Sequence, residues 1–183
     1  MKKVFIIHGF GGSPNGGWRP WLMSELEKLD IYACSLSMPG PAAPVLSEWL
    51  EEIDRYVKRD KDDEIYLIGH SLGGSALLNY FQQYDSNVEG VIFVSSPCRK
   101  RKDSSKIDGF LNDFNYELIK SKIKNIAVIQ GDDDPNVSML DAELIAKETD
   151  GKLIVIPGGK HLNGSAGFVQ LPECLDVLLE MMK

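Results

Sequence analysis

The sequence predicts an α/β fold in which a mostly parallel sheet of about six strands carries helices on both faces. Two observations lead to this. Short runs rich in Val, Ile, Leu and Phe alternate with longer segments of helical periodicity, the pattern of repeated βαβ units. Most of the runs are apolar almost throughout rather than alternating with polar residues, as strands are when helices cover both faces of their sheet.

The first run, Lys3 to His8, contains Val4-Phe5-Ile6-Ile7, and a helical pattern follows over Trp18 to Leu29. The second run, Ile31 to Ser37, leads into Met38-Pro39-Gly40-Pro41-Ala42-Ala43-Pro44, whose prolines and glycine read as a stiff turn. A helix over Val45 to Lys58 comes next, with Trp49, Ile53, Tyr56 and Val57 in one stripe that suits a core face. The third run, Glu64 to Gly69, precedes a helix over Gly73 to Tyr84, and the fourth, Val88 to Val94, precedes a polar stretch, Ser96 to Asn112. That stretch carries Arg99-Lys100-Arg101-Lys102, read as a solvated basic loop or, alternatively, as a contact for an acidic partner. A helix at Phe114 to Ser121, a strand at Asn125 to Gln130, a helix at Ser138 to Glu148 and a strand at Lys152 to Pro157 continue the alternation. The last helix, Leu171 to Met182, aligns Leu171, Leu175, Leu178, Leu179 and Met182 for burial.

At 183 residues the chain reads as a single domain, 1–183, long enough to bury well over half of its unfolded surface in one core. Its 43% hydrophobic and 26% charged residues are those of a globular protein. A net charge of -7 argues against a nucleic-acid surface and against docking on anionic lipid. Cys34, Cys98 and Cys174 are odd in number and widely spaced, so neither a disulfide framework nor a zinc site is indicated. The apolar run before His8-Gly9 is too short for a signal peptide, and no segment approaches a membrane span. The expected location is cytoplasmic, with no metal and no organic cofactor implied by any cluster.

Gly69-His70-Ser71-Leu72-Gly73 fits the G-x-S-x-G nucleophile elbow, in which a serine sits at a sharp strand-to-helix turn. The pattern alone arises by chance about 0.06 times in a chain of this length, and here it lies between a strand and a helix. Ser71 is therefore the candidate nucleophile, with simple capping of the helix as the alternative. A serine hydroxyl needs a base held by a carboxylate. Of the three histidines, His161 follows the last strand in a Gly-rich loop suited to reach back over the sheet, whereas His70 points away from a base's position. Three acids stand in a row after the preceding strand. The arrangement Gly131-x-x-Asp134-x-x-Val137, with Pro135 fixing the turn, resembles the acid loop of many α/β-hydrolases, and that resemblance implies Asp134, then Asp133, with the spare acids solvated. The oxyanion formed on attack requires two N–H donors. Leu72 supplies one, and His8-Gly9-Phe10-Gly11-Gly12 offers the other through Phe10 or else Gly11. Phe10, Trp18 and Trp21 are candidates either to line the cleft or to join the core; Phe10 and Trp18 are taken as the candidate substrate-binding residues, and the core is the preferred place for Trp21.

Taken together, His8-Gly9 with Trp18 and Trp21, Met38-Pro39-x-Pro41 with Trp49-Leu50, Ile65 to Gly74, Asp133-Asp134-Pro135 and Gly159-x-His161 resemble the small α/β-hydrolases grouped with retinoblastoma-binding protein 9 and the bacterial YdeN proteins. The resemblance spans nearly the whole chain. It implies a compact hydrolase fold without the first strands and cap domain of larger relatives, with Ser71, Asp134 and His161 as its triad. His8-Gly9-Phe10-Gly11-Gly12-Ser13 is closer to general esterases than to the animal members, and the L-x-C-x-E motif is absent, so no retinoblastoma-type partner is implied.

The expected function is carboxylesterase-like hydrolysis of a small acyl ester, amide or thioester through an acyl-serine, in an open cleft, since a short chain leaves little for a lid. Two alternatives stand beside it. One is acyl transfer or perhydrolysis with the same triad, and the other is a binding protein that keeps the fold without turnover.

Overall fold

The structure is a computed structural model and describes residues 1–57, 63–100 and 107–183. Six strands form one sheet: β1 (Lys2–Ile7), β2 (Tyr32–Ser35), β3 (Glu64–His70), β4 (Val88–Val94), β5 (Ile123–Gly131) and β6 (Lys152–Ile156). Their order across the sheet is β2-β1-β3-β4-β5-β6, and every neighbouring pair is parallel. The predicted runs and the strands coincide closely. β5 starts two residues before the predicted Asn125, because Ile123 pairs with Val88 although exposed Lys124 interrupts the apolar pattern.

The helices are α1 (Arg19–Glu27), α2 (Leu46–Val57), α3 (Leu72–Gln83), α4 (Tyr116–Ser121), α5 (Met139–Thr149) and α6 (Pro172–Met181). Alternate strand residues face two separate cores, as the two-residue side-chain period of a strand requires. Phe5, Ile7, Leu67, Phe93 and Val128 pack with α2 to α5. Val4, Ile6, Ile68, Ile92 and Ile129 pack with α1 and α6 on the other face. Each aliphatic or aromatic side chain fully buried here is worth about 1.5–3 kcal/mol of transfer free energy. Trp49, Ile53 and Val57 are buried as their stripe predicts, while Tyr56 stays at the rim against Phe5, with ring centroids 5.6 Å apart. In α6 the buried side is completed by Cys174 and Val177, and Leu175, Leu179 and Met182 are only partly covered. β6 departs from the covered-strand pattern. As an edge strand it leaves Leu153 and Val155 exposed.

Ser138 and Asn115 cap α5 and α4 through side-chain oxygens that accept from Leu140 N and Leu118 N. Two single 3-10 turns, Asp108–Phe110 and Gly164–Ala166, lie in stretches without sequence periodicity. No helix among the described residues is long and apolar enough to cross a membrane.

The strand order places the site. β1 is followed in sequence by a strand on one side of it and then by β3 on the other, so the connections leaving β1 and β3 diverge. Such a reversal opens a crevice at the carboxyl ends of the strands. The Gly9 loop and the Ser71 turn both emerge there.

Candidate active site

At the end of β3 the chain turns abruptly into α3, and Ser71 takes φ 54°, ψ -124°, a backbone state disfavoured for any residue with a side chain. Ser71 N–H donates to Val94 O at 2.8 Å, and close packing on both sides confines the turn. A Cβ on Gly69 would lie 2.6 Å from Gly74 N, and one on Gly73 only 2.2 Å from Ile7 O. Ser71 makes no side-chain cap to α3, so the capping alternative does not describe it. Its Oγ lies 3.0 Å from His161 Nε2.

His161 stands in the loop after β6, and its Nδ1 lies 2.9 and 3.1 Å from the two Asp134 oxygens. With the Nδ1 proton donated to that carboxylate, Nε2 is left as the lone-pair nitrogen that faces Ser71. Asp134 Oδ1 also accepts the N–H groups of Asn136 and Val137, and Oδ2 accepts Gln130 Nε2. Burial works against the charged carboxyl. The hydrogen bonds from His161, Asn136 and Val137 outweigh it and hold Asp134 below the usual carboxylate range. An imidazole fixed between a hydroxyl and an ionised carboxylate is the arrangement that turns serine into a nucleophile.

The other two aspartates are exposed but not simply solvated, which corrects the sequence reading. Asp132 Oδ1 accepts Gly158 N–H at 2.8 Å and Asp133 Oδ1 accepts Lys160 N–H at 2.7 Å. Together the three acids tie the turn after β5 to the loop that carries His161. Lys160 and Leu162, on either side of His161, have φ of 48° and 47°, so this loop is strained and needs such ties.

Two further ties come from residues that sequence reasoning assigned otherwise. Trp18 has no exposed surface and does not line the cleft; its Nε1–H donates to Leu162 O at 2.9 Å, so it supports the His161 loop from beneath. The expectation that it binds substrate is corrected by that burial. Trp21, by contrast, packs partly buried on the α1 and α6 core. His70 Nε2 donates to the backbone oxygen of His161 at 2.9 Å. Burial, with a smaller repulsion from His161, depresses its pKa to about 3, so His70 is neutral at physiological pH. Gln130 and His70 carry no motif signal for these roles beyond their neighbourhood to Gly131 and Ser71.

The loop after β1 supplies the opposite wall. Met38 N–H donates to His8 Nε2, which leaves the His8 proton on Nδ1 for Gly9 O at 2.8 Å. Gly9 O accepts Gly12 N–H as well, and Gly11 N–H is spent on Pro41 O at 2.7 Å. This separates the two sequence candidates: among the described residues the N–H groups of Phe10 and Leu72 have no acceptor. Gly9 runs so close to the turn that a Cβ on it would lie 2.8 Å from Ser71 Cβ. The resulting cleft has a volume of about 390 Å³, with Ser71 and His161 on its floor and half-exposed Phe10 at its rim. No group of three His, Cys, Asp or Glu side chains among the described residues is placed to hold a metal ion.

Of the basic run, Arg99 and Lys100 are not among the residues that line the cleft. Arg99 pairs with buried Asp141 at 3.2 Å and Lys100 with Asp113 at 2.9 Å, so both have partners within the chain. Arg101 and Lys102 lie outside the described residues.

A family model described as serine hydrolase matches residues 4–180. YdeN of Bacillus subtilis (strain 168) is 32% identical over 180 residues, which covers 97% of this chain and 94% of that protein. The crystal structure of the B. subtilis ydeN gene product superposes with a TM-score of 0.92, covering 100% of this chain and 99% of that one at 31% identity. Est1E from Butyrivibrio proteoclasticus shares the fold at 20% identity, with a TM-score of 0.75 and coverage of 99% and 88%.

Proposed function

The chain belongs to the serine hydrolase family, and from that premise we propose that it cleaves a small carboxylic ester through an acyl-Ser71 intermediate. The observation that carries the reading is the unbroken relay from Ser71 Oγ through His161 to Asp134, with contacts of 3.0 and 2.9 Å. In this reading Ser71 Oγ attacks the ester carbonyl while His161 Nε2 takes its proton. Asp134 stabilises the imidazolium that forms and does not itself take the proton. The oxyanion is received by the Phe10 and Leu72 N–H groups, which need no reorganisation because nothing in the described chain occupies them. His161 then protonates the departing alkoxide, and water resolves the acyl-enzyme by the same steps in reverse order. A cleft of about 390 Å³ favours short acyl groups over long chains.

Labelling with a fluorophosphonate probe tests this directly. The parent is expected to label, and Ser71→Ala and His161→Ala to lose labelling together with at least about 10³-fold of kcat/KM on short-chain esters. A folded parent that fails to label would overturn the hydrolase reading and bring the binding-protein alternative forward.

A further inference from the structure

Arg19 is the first residue of α1, only 5% exposed, and lines the same cleft as Ser71 and His161. Its Nε and Nη2 donate to Ser13 O at 3.2 and 2.9 Å, and its guanidinium carbon lies 5.9 Å from the centre of the Trp18 ring. Among the described residues no carboxylate pairs with it, and no wall of the cleft is acidic. Burial without a counter-ion pulls its pKa down to about 10, which still leaves the group charged at neutral pH.

The placement is unfavourable in the free protein. A cation at the first turn of a helix meets the positive end of the helix dipole, and α1 has no acidic residue in that turn to offset it. Buried charges are ordinarily paired. Space is nevertheless reserved for this one, since a Cβ on Gly16 would lie 2.5 Å from Arg19 Nη2. On a chain of net charge -7, a cation that lines the same cleft as the nucleophile and pairs with no described carboxylate makes that cleft locally attractive to an anion that the rest of the surface repels.

We propose that Arg19 is the specificity residue of this cleft and receives a carboxylate carried by the substrate. The inference rests on the ester-hydrolase reading and narrows its substrate class to esters with a free carboxylate on the acyl or the alcohol side. A planar guanidinium suits a carboxylate geometrically as well as by charge.

Two pairs of esters test it by separating charge from size. Monomethyl glutarate is compared with methyl hexanoate for the acyl side, and 4-acetoxybutanoate with pentyl acetate for the alcohol side. In at least one pair the parent should favour the charged ester in kcat/KM, and Arg19→Gln should lower that charged-to-neutral ratio about tenfold, chiefly through KM. Arg19→Lys, which keeps the charge, should recover part of it. A ratio unchanged by Arg19→Gln in both pairs, or charged and neutral esters declining together, would overturn the proposal and leave Arg19 as a structural tie to Ser13. Glutarate binding to the Ser71→Ala protein, measured by calorimetry, supplies a readout without turnover and should be lost in Ser71→Ala/Arg19→Gln. If glutarate binding depends on Arg19 while no ester is cleaved, the hydrolase reading falls and the Arg19 site stands. If esters are cleaved and glutarate binding is indifferent to Arg19, the site falls and the hydrolase reading stands.

Discussion

Asp132, Asp133 and Asp134 are adjacent and chemically identical, yet they meet Gly158 N–H, Lys160 N–H and His161 Nδ1 respectively. Only Asp134 faces a group that gains charge during the proposed reaction, so the three should respond differently to the same substitution. Asp134→Asn removes the charge that would stabilise the imidazolium and should lower kcat by about 10³–10⁴-fold. Asp133→Asn keeps an oxygen for Lys160 N–H, loses only the charge assistance of one hydrogen bond, and should cost less than about tenfold. Parallel kinetics on one ester decide this, and a larger loss for Asp133→Asn would reassign the acid. The spacing from Gly131 already favoured Asp134. The ties made by the other two were not legible, because their partners lie 26 and 27 residues further on in a loop whose approach depends on β5 pairing with β6.

At the scale of elements, the turn from β3 into α3 works because the helix start presses on the end of β1. The G-x-S-x-G pattern announced the turn; only the structure shows that Gly69 makes room for Gly74 and that Gly73 makes room for the Ile7 and His8 backbone. Gly73→Ala would place a methyl 2.2 Å from Ile7 O and 2.8 Å from His8 O, contacts with backbone that no rotamer change relieves. It should lower unfolding free energy by about 2 kcal/mol or more, in the upper range for overpacking. Urea unfolding with an unchanged midpoint would show instead that α3 can move off β1. The loop after β1 shows the limit of local reading in another way. By sequence Phe10 stood first as donor with Gly11 behind it, and a carbonyl in the Pro-rich turn, Pro41 O, separates them in the structure by engaging Gly11.

For the whole molecule, buried neutral histidines couple stability to pH. His70 is pushed to about 3 from a model-peptide value of 6.5, and burial also lowers His8. As pH falls the unfolded chain takes up these protons first. The His70 contribution is therefore intact above about pH 6.5 and is withdrawn progressively between 6.5 and about 3. Asp134 and Asp141, held below the ordinary carboxylate range, add a loss of the same sign at lower pH. His70 alone should cost about 2 kcal/mol between pH 6.5 and pH 5. His70→Gln, whose amide can still donate to His161 O, should flatten that slope in urea titrations at the two pH values. An equal slope in both proteins would show that His70 takes up its proton in the fold as readily as in the unfolded chain.

The alternation of apolar runs and helical stripes determined the α/β class and placed the element boundaries to within two residues, because the periods of strand and helix are properties of consecutive residues. The elbow motif, with the order and spacing of acid and base that resemble those of α/β-hydrolases, likewise pointed to Ser71, Asp134 and His161. Tertiary structure decided which face each element buries and which donors remain open. It also turned Trp18 into a support for Leu162 O, 144 residues away, and placed Arg19 in the cleft without a counter-ion among the described residues. These outcomes depend on contacts between loops distant in sequence, and the order of strands across the sheet sets which of those loops meet.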